Sequence, residues 1–342
     1  MSDSSIAVFL FDPPRSGEEN MSVDAWLLEH AMQQRLPSGD YVDDFGKISS
    51  VDQLPDAPIV VRIYRWQTPA LSLGHFQSIE QLLESKDTQG HPSLRSLPWV
   101  KRRTGGGAIL HDREWTYSIT VPKAVELAQP KAVERAQPTA VGIAQPTAVG
   151  IAQPTAVEID RAQGHLGGEK GASQGLYQAV HRSIAEGLRD LGLDAEFSQE
   201  CTCPVQGKKD RSGGEKVGGS EEGFLCFNRR SPLDLVVGGS KILGSAQRRG
   251  IGGILQHGSL LMKASDHYPA IKGIEDCDWK AGGGDPFAQG KTSAGPESWE
   301  NWLCDRIYKG ILDLVSVSRV KSRLKLDAWA DTIKERPLAR SV

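Results

Sequence analysis

Lys101-Arg102-Arg103-Thr104-Gly105-Gly106-Gly107-Ala108-Ile109-Leu110-His111-Asp112 is the most informative run in the chain. Three successive glycines clear side chains from a place where backbone must come close to something, and they permit positive φ. Leu97 and Val100 precede them, and Ala108, Ile109 and Leu110 follow. The pattern predicts strand, glycine turn, strand. A bared turn with two arginines beside it suits an acyl group carried on a phosphate, nucleotide or pantetheine arm. It also suits a glycine-rich hairpin with two solvated arginines, and the stretch alone leaves both readings open.

Downstream, Leu233–Val237 and Lys241–Gln247 read as a hairpin about Gly238-Gly239, followed by a strand over 254–262. Strict alternation would put Lys241, Leu243 and Ser245 on one face. Cys226 lies before this hairpin, with Lys241 across it. A thiolate attacks a thioester readily and yields another thioester of similar energy. A free cysteine is only a few per cent thiolate at neutral pH, so it needs a positive neighbour or a base. Lys241 is the candidate neighbour. A cysteine between Leu225 and Phe227 also fits plain core, and a lysine after a turn also fits solvent.

Three runs stand in order: Arg102-Arg103-x-Gly-Gly-Gly-x-x-x-His111-Asp112, Gly239-x-Lys241-Ile-x-Gly-Ser-Ala-Gln247, and His257-Gly258-Ser259-Leu260-Leu261. Together they closely resemble the lipoate–protein ligase and octanoyltransferase family, over roughly residues 18–122 and 175–275. The resemblance implies an α+β domain of the biotin/lipoate ligase type, a mixed sheet with packed helices. It implies Cys226 as nucleophile, because the cysteine-dependent octanoyltransferases carry a Cys-Phe pair here, and Lys241 at the acyl carbonyl. Arg102, Arg103, Gly105, Gly106 and Gly107 would line the acyl and head-group channel. Gly244, Ser245 and Ala246 would form its other wall, with His111 and His257 flanking it and His257 a base or a positioning group.

The implied reaction moves an octanoyl or lipoyl group from an acyl carrier protein or a donor lipoyl domain to Cys226. A lysine of a lipoyl domain then takes it, on a glycine-cleavage H protein or a 2-oxoacid dehydrogenase acyltransferase subunit, with no cofactor and no metal. One alternative is an ATP-dependent lipoate–protein ligase passing through lipoyl-adenylate, with ATP and Mg. Another, from a different class, is an inert binder of lipoyl domains. Ser240 stands where the family usually has a basic or acidic residue. No accessory domain is recognisable after the catalytic region, which with Cys226 favours the transferase.

Upstream, residues 6–11 read as a buried strand. A helix is expected near 22–35, with Val23, Leu27 and Ala31 on one face, Ser22 as cap and Asp24 in the first turn. Residues 37–56 read as an exposed loop, residues 59–66 as a strand, and residues after Pro69 as another, with Gly74 permitting a bend. Residues 114–121 alternate as a strand, with Trp115, Tyr117 and Ile119 on one face.

From Ala124 an eight-residue unit repeats (AVELAQPK, AVERAQPT, AVGIAQPT). Proline in every unit breaks helix and strand alike. Residues 123–173 are therefore expected to be a disordered insertion, and the Gly-, Lys- and Glu-rich 204–223 a second mobile loop. A helix is expected at about 175–191, a short strand at 193–197 and a helix over 298–316, with the last 25 residues frayed. The expected layout is one catalytic domain over 1–275, then a linker and C-terminal helix over 276–342. Cys201-Thr-Cys203 lacks a zinc spacing. Gly284–Thr292 fails as a phosphate-binding loop, with Asp285 where glycine belongs.

The net charge of −3 offers no argument for nucleic acid or an acidic membrane. No apolar run approaches the roughly 20 residues needed to span a bilayer. Five cysteines show no disulfide framework, and the N-terminus lacks a signal-peptide pattern, so a cytoplasmic location is expected.

Overall fold

Successive side chains of a strand point to opposite faces, and the first strand shows what that period serves. β1 (Ser5–Phe11) sends Ala7 and Phe9 into one buried cluster and Val8 and Leu10 into another. The computed structural model describes residues 5–31, 40–43, 48–50, 58–123, 125, 127, 169–198, 224–250, 252–280, 298–315 and 317–322. The remaining strands are β2 (Asp40–Asp43), β3 (Ile48–Ser50), β4 (Ile59–Tyr64), β5 (Ala70–Leu73), β6 (Trp99–Lys101), β7 (Ile109–His111) and β8 (Glu114–Pro122). They continue with β9 (Ala195–Phe197), β10 (Leu235–Val237), β11 (Ser240–Gly250), β12 (Gly253–Leu261) and β13 (Val317–Ser322).

Ten strands form one mixed sheet in the order β3-β2-β13-β1-β4-β8-β12-β11-β10-β9. β1 runs parallel to β13 and β4, and the pairs from β4 to β9 are antiparallel. Helices α4 (Glu169–Asp190) and α5 (Trp299–Leu312) cover one face, packing Val180, Ile184, Leu303 and Ile307 on Phe9, Val61 and Ile119. Helix α1 (Gly17–Ala31) covers part of the other, with Val23, Trp26 and Leu27 on Val8, Leu10 and Val60. A small sheet, β6-β5-β7, joins α2 (Ile79–Glu84) and α3 (Lys86–Gly90) in a lobe with its own buried cluster. The expected α+β architecture is what the chain forms. No described helix is long and apolar enough to cross a membrane.

Several expectations are corrected. Helix α1 starts at Gly17, not at 22. Ser16 and Glu19 form its capping box, Ser16 Oγ accepting from Glu19 N and Glu19 Oε2 from Ser16 N. Ser22 is interior, its hydroxyl donating to Glu18 O at 2.8 Å, and Asp24 is a buried residue rather than a first-turn one. The expected loop over 37–56 contains β2 and β3. The expected frayed end contains β13, a short polar strand whose order comes from pairing with β1. Helix α5 shares the main core. Helix α4 begins before 173, and Val125 and Leu127 of the first repeat pack against that core. Residues 128–168, the 204–223 loop, Cys201, Cys203 and 284–292 lie outside the described residues.

Candidate active site

Cys226 opens a single 3-10 turn, Cys226–Asn228. The segment before it lies beside Ala108. Ala108 N donates to Phe224 O at 3.2 Å, and Cys226 N donates to Ala108 O at 2.6 Å. Asp87 on α3 accepts from Leu225 N (2.9 Å) and from Asn228 Nδ2 (2.8 Å). The cysteine is thus held by the lobe from both flanks. Lys241 Nζ lies 3.6 Å from Cys226 Sγ and 2.7 Å from Asp234 Oδ2, and donates to Cys226 O and Arg229 O. Asp234 also accepts from Ser231 N at 2.7 Å and from the Tyr177 hydroxyl at 3.3 Å. A buried cation held at the sulfur by a buried carboxylate can stabilise negative charge that develops there.

A bulge decides where Lys241 points. The β10–β11 register shifts between Leu235, opposite Leu243, and Val236, opposite Lys241. Ile242 and Leu243 therefore both enter the α4 core, and alternation resumes one residue out of step. Lys241, Gly244 and Ala246 face the cysteine side. Leu243 and Ser245 face α4, contrary to the expected grouping of Lys241, Leu243 and Ser245. Gly244 is needed here, because a Cβ would lie 2.7 Å from Lys241 Cε.

The glycine turn is built around Arg102. Its Nε donates to Thr104 Oγ1, its Nη1 to Ser72 O and Oγ, and its Nη2 to Gly105 O and Gly107 O. All five guanidinium hydrogens have partners, so Arg102 shapes the channel wall and has no donor left for a ligand. Burial pulls it down to about 10, which leaves it charged. Arg103 stands at the surface, 4.0 Å from Glu29. Gly106 has φ 91° and lies beside Ala246. A Cβ on Gly107 would come within 3.0 Å of the Cys226 backbone, and one on Gly74 within 2.0 Å of Gly106 O. Close approach, rather than a bend, requires glycine at 74.

Beyond the turn lies a pocket. Its lining includes Met21, Trp66, Arg102, Ile109, His111, Ala246 and His257. The His111 ring stacks on Trp66 at 3.7 Å, between Ser72 Oγ (2.7 Å) and Glu114 Oε1 (2.5 Å). Burial pushes the His111 pKa down, although Glu114 pulls it up. Both ring nitrogens have partners, so His111 is a wall residue. His257 sits in a cross-strand row, Arg62–Ser118–His257–Ala246, contributed by β4, β8, β12 and β11. Asp24 of α1 lies over the row. It accepts from Arg62 Nη1 (3.0 Å), Ser118 Oγ (2.7 Å) and the Tyr64 hydroxyl (2.9 Å), and stands 3.0 Å from His257 Nε2. Burial alone would raise the Asp24 pKa. The charges of His257 and Arg62, with the hydrogen bond from Ser118, outweigh it and hold the carboxyl below the usual range.

Ser245, expected on the channel wall, faces the other way. Its hydroxyl lies 2.8 Å from the Tyr117 hydroxyl and 2.7 Å from His181 Nε2. The structure thus brings Cys226, Lys241, Gly105–Gly107, Gly244 and Ala246 together, with His111 and His257 lining the adjoining pocket. Sequence reading missed Asp24, Arg62, Asp87 and Asp234. A charge inside an apolar strand, as in Ile59–Tyr64 and Leu233–Val237, was the available signal for Arg62 and Asp234.

The model of the lipoyl protein ligase A/B catalytic domain matches residues 16–141, and that of the biotin/lipoate A/B protein ligase family matches residues 173–265. Octanoyltransferase LipM of Geobacillus kaustophilus is 34% identical over 205 residues, 60% of this chain and 54% of that protein. Octanoyltransferase LipM of Macrococcus caseolyticus is 33% identical over the same shares. The chain spans about half the length of the curated relatives it matches. A solved lipoate-protein ligase A bound with ATP superposes at TM-score 0.46 and 15% identity, over 97% of this chain and 93% of that one, too loosely to inform the site.

Proposed function

The chain belongs to the biotin/lipoate A/B protein ligase family, and we propose that it transfers octanoyl groups through a thioester on Cys226. An octanoyl thioester on an acyl carrier protein enters with its chain along Met21, Trp66 and Ile109. Cys226 Sγ attacks the carbonyl carbon, Lys241 stabilises the charge that gathers on sulfur and carbonyl oxygen, and the carrier thiol leaves. The ε-amine of a lysine on a lipoyl domain then takes the acyl group as an amide. Thioester exchange is nearly isoenergetic and aminolysis runs downhill, so ATP is not required. The observation carrying this reading is the Lys241 ammonium, tied to Asp234 and 3.6 Å from Cys226 Sγ.

Protein mixed with octanoyl carrier protein alone should gain one octanoyl mass, released by hydroxylamine. Cys226→Ser should lose turnover. Lys241→Ala should slow acylation by roughly 10²–10³-fold, the usual size of an electrostatic or proton-transfer contribution. Modification that needs ATP and survives Cys226→Ala would replace this reading with the ligase.

A further inference from the structure

The thioester route needs a donor protein to be held while its acyl chain is threaded into the pocket. We infer that the surface over the glycine turn, centred on Phe76 with Arg103 and Arg248, is the docking site for that donor, a carrier protein whose surface around its arm is acidic. This rests on the transfer reading above.

Phe76 is 77% exposed, the most exposed of the large apolar side chains among the described residues. The inner edge of its ring faces the turn, where a Cβ on Gly105 would stand 4.0 Å from Phe76 Cε2. The segment that carries it is tied to the same turn, His75 N donating to Thr104 O at 2.9 Å. Arg248 reaches the turn from β11, its Nη1 donating to Arg103 O at 2.9 Å. Arg103 itself is exposed. An exposed aromatic beside two arginines has the composition of an interface anchor, because aromatic and arginine side chains carry much of the energy of protein–protein contacts.

Two observations select the occupant. The first is charge. Lys101, exposed on β6, adds a third cation. Two carboxylates stand against the three, Glu29 at 4.0 Å from Arg103 and Glu80 within the field of Lys101. The face is therefore net positive on a chain of net charge −3, and it draws an acidic partner. The second is the pocket. Gly106, exposed in the turn, lies against Ala246, which lines the pocket, and Gly107 packs on the Cys226 backbone. Arg248 follows Ala246 on the same face of β11, so the row runs from pocket to rim. The donor brings a chain that must enter the pocket from outside, whereas the acceptor lysine need only reach the carbonyl at Cys226. A face that borders the pocket thus fits the donor.

The test is acylation of Cys226 by two donors: octanoyl carrier protein, and octanoyl-pantetheine, which has the arm without the protein. Phe76→Ala and Arg248→Glu should each lower the second-order rate with the carrier about 10-fold, the size of an interface anchor, and leave the rate with octanoyl-pantetheine unchanged. The carrier rate of the unaltered protein should fall as salt rises, and less steeply in Arg248→Glu. Equal loss with both donors would make the two residues part of the channel and overturn the inference. So would a loss confined to transfer from acyl-Cys226 to a lipoyl domain, which gives the face to the acceptor. A dimer that Phe76→Ala splits in sedimentation would give it to a second copy and overturn it too, as would no loss with either donor. Failure of the unaltered protein to form the adduct with either donor overturns the transfer reading and this one with it.

Discussion

Two buried polar networks lie on opposite faces of β8, β12 and β11, and they are built on different principles. On the α1 face the groups are charged. Arg62 donates to Asp12, Asp24 and Asn20, and Asp24 in turn holds Tyr64, Ser118 and His257. On the α4 face the groups are neutral and form a directed chain. Gln247 donates to Gln256, Gln256 to Tyr117, Tyr117 to Ser245, Ser245 to His181 Nε2, and His181 Nδ1 to Leu233 O. The carbonyl at its end sets every direction, because it can only accept. Burial pushes His181 down to about 3 and Tyr117 up to about 12, so both stay neutral. The charged face is the one that borders the pocket. The neutral face holds the strand carrying Lys241 in register against α4.

The strongest way to break this contrast is Arg62→Met. It leaves Asp12 and Asp24 buried without their cation, and removing one partner of a buried pair costs about 3–5 kcal/mol. A fall of that size in urea unfolding is expected. A loss smaller than that of Ser245→Ala would show that the two faces do not differ in kind.

The next effect is a pH dependence. His181 is depressed from its ordinary 6.5 to about 3 by burial. Below 6.5 the unfolded chain binds a proton that the folded chain refuses, so stability falls as pH drops from about 6.5 towards 3. The slope is at most about 1.4 kcal/mol per pH unit for one such group. His111, also depressed, adds a slope of the same sign. Asp24 contributes stability that is fully present above its ordinary 3.8 and is lost only below it, so the slope between pH 6 and 4.5 belongs to the histidines. Urea midpoints at pH 7.5, 6 and 5 should converge in His181→Gln relative to the unaltered protein. An unchanged slope would place the titration elsewhere.

The smallest effect is Ser245→Ala, which leaves His181 Nε2 without its donor and Tyr117 without its acceptor. About 1–3 kcal/mol of stability should be lost. Acylation of Cys226 should change less than in Lys241→Ala, because Ser245 faces away from the sulfur.

Much of this was legible beforehand. Apolar runs placed β1 and β4, period-two alternation placed β8, and the Gly238-Gly239 pair gave the hairpin its turn, with φ 54° and 78°. Gly107 of the first motif and Lys241 of the second lie at Cys226, while Ser245 faces away and His257 of the third lines the adjoining pocket. Less legible was anything that depends on pairing across distance. β13 has no apolar run of its own and exists because β1 offers it an edge. Arg102, a natural ligand-binding candidate beside three glycines, uses every donor on its own loop and on Ser72 of β5. Asp24 reads as a helix-start residue until a capping box five residues ahead of it turns it inward.

The residues by themselves determined the chemistry available: a cysteine, a lysine, a side-chain-free turn, and motifs belonging to one family. Propensity and periodicity are local, and they suffice for that. Which way Lys241 points was settled only in the folded chain. A bulge belongs to two paired strands rather than to either one, and one extra residue at Ile242 exchanges the faces of all that follow. Without it Leu243 and Ser245 would share the face of Lys241, as strict alternation predicts, and Gly244 and Ala246 would turn from the cysteine side.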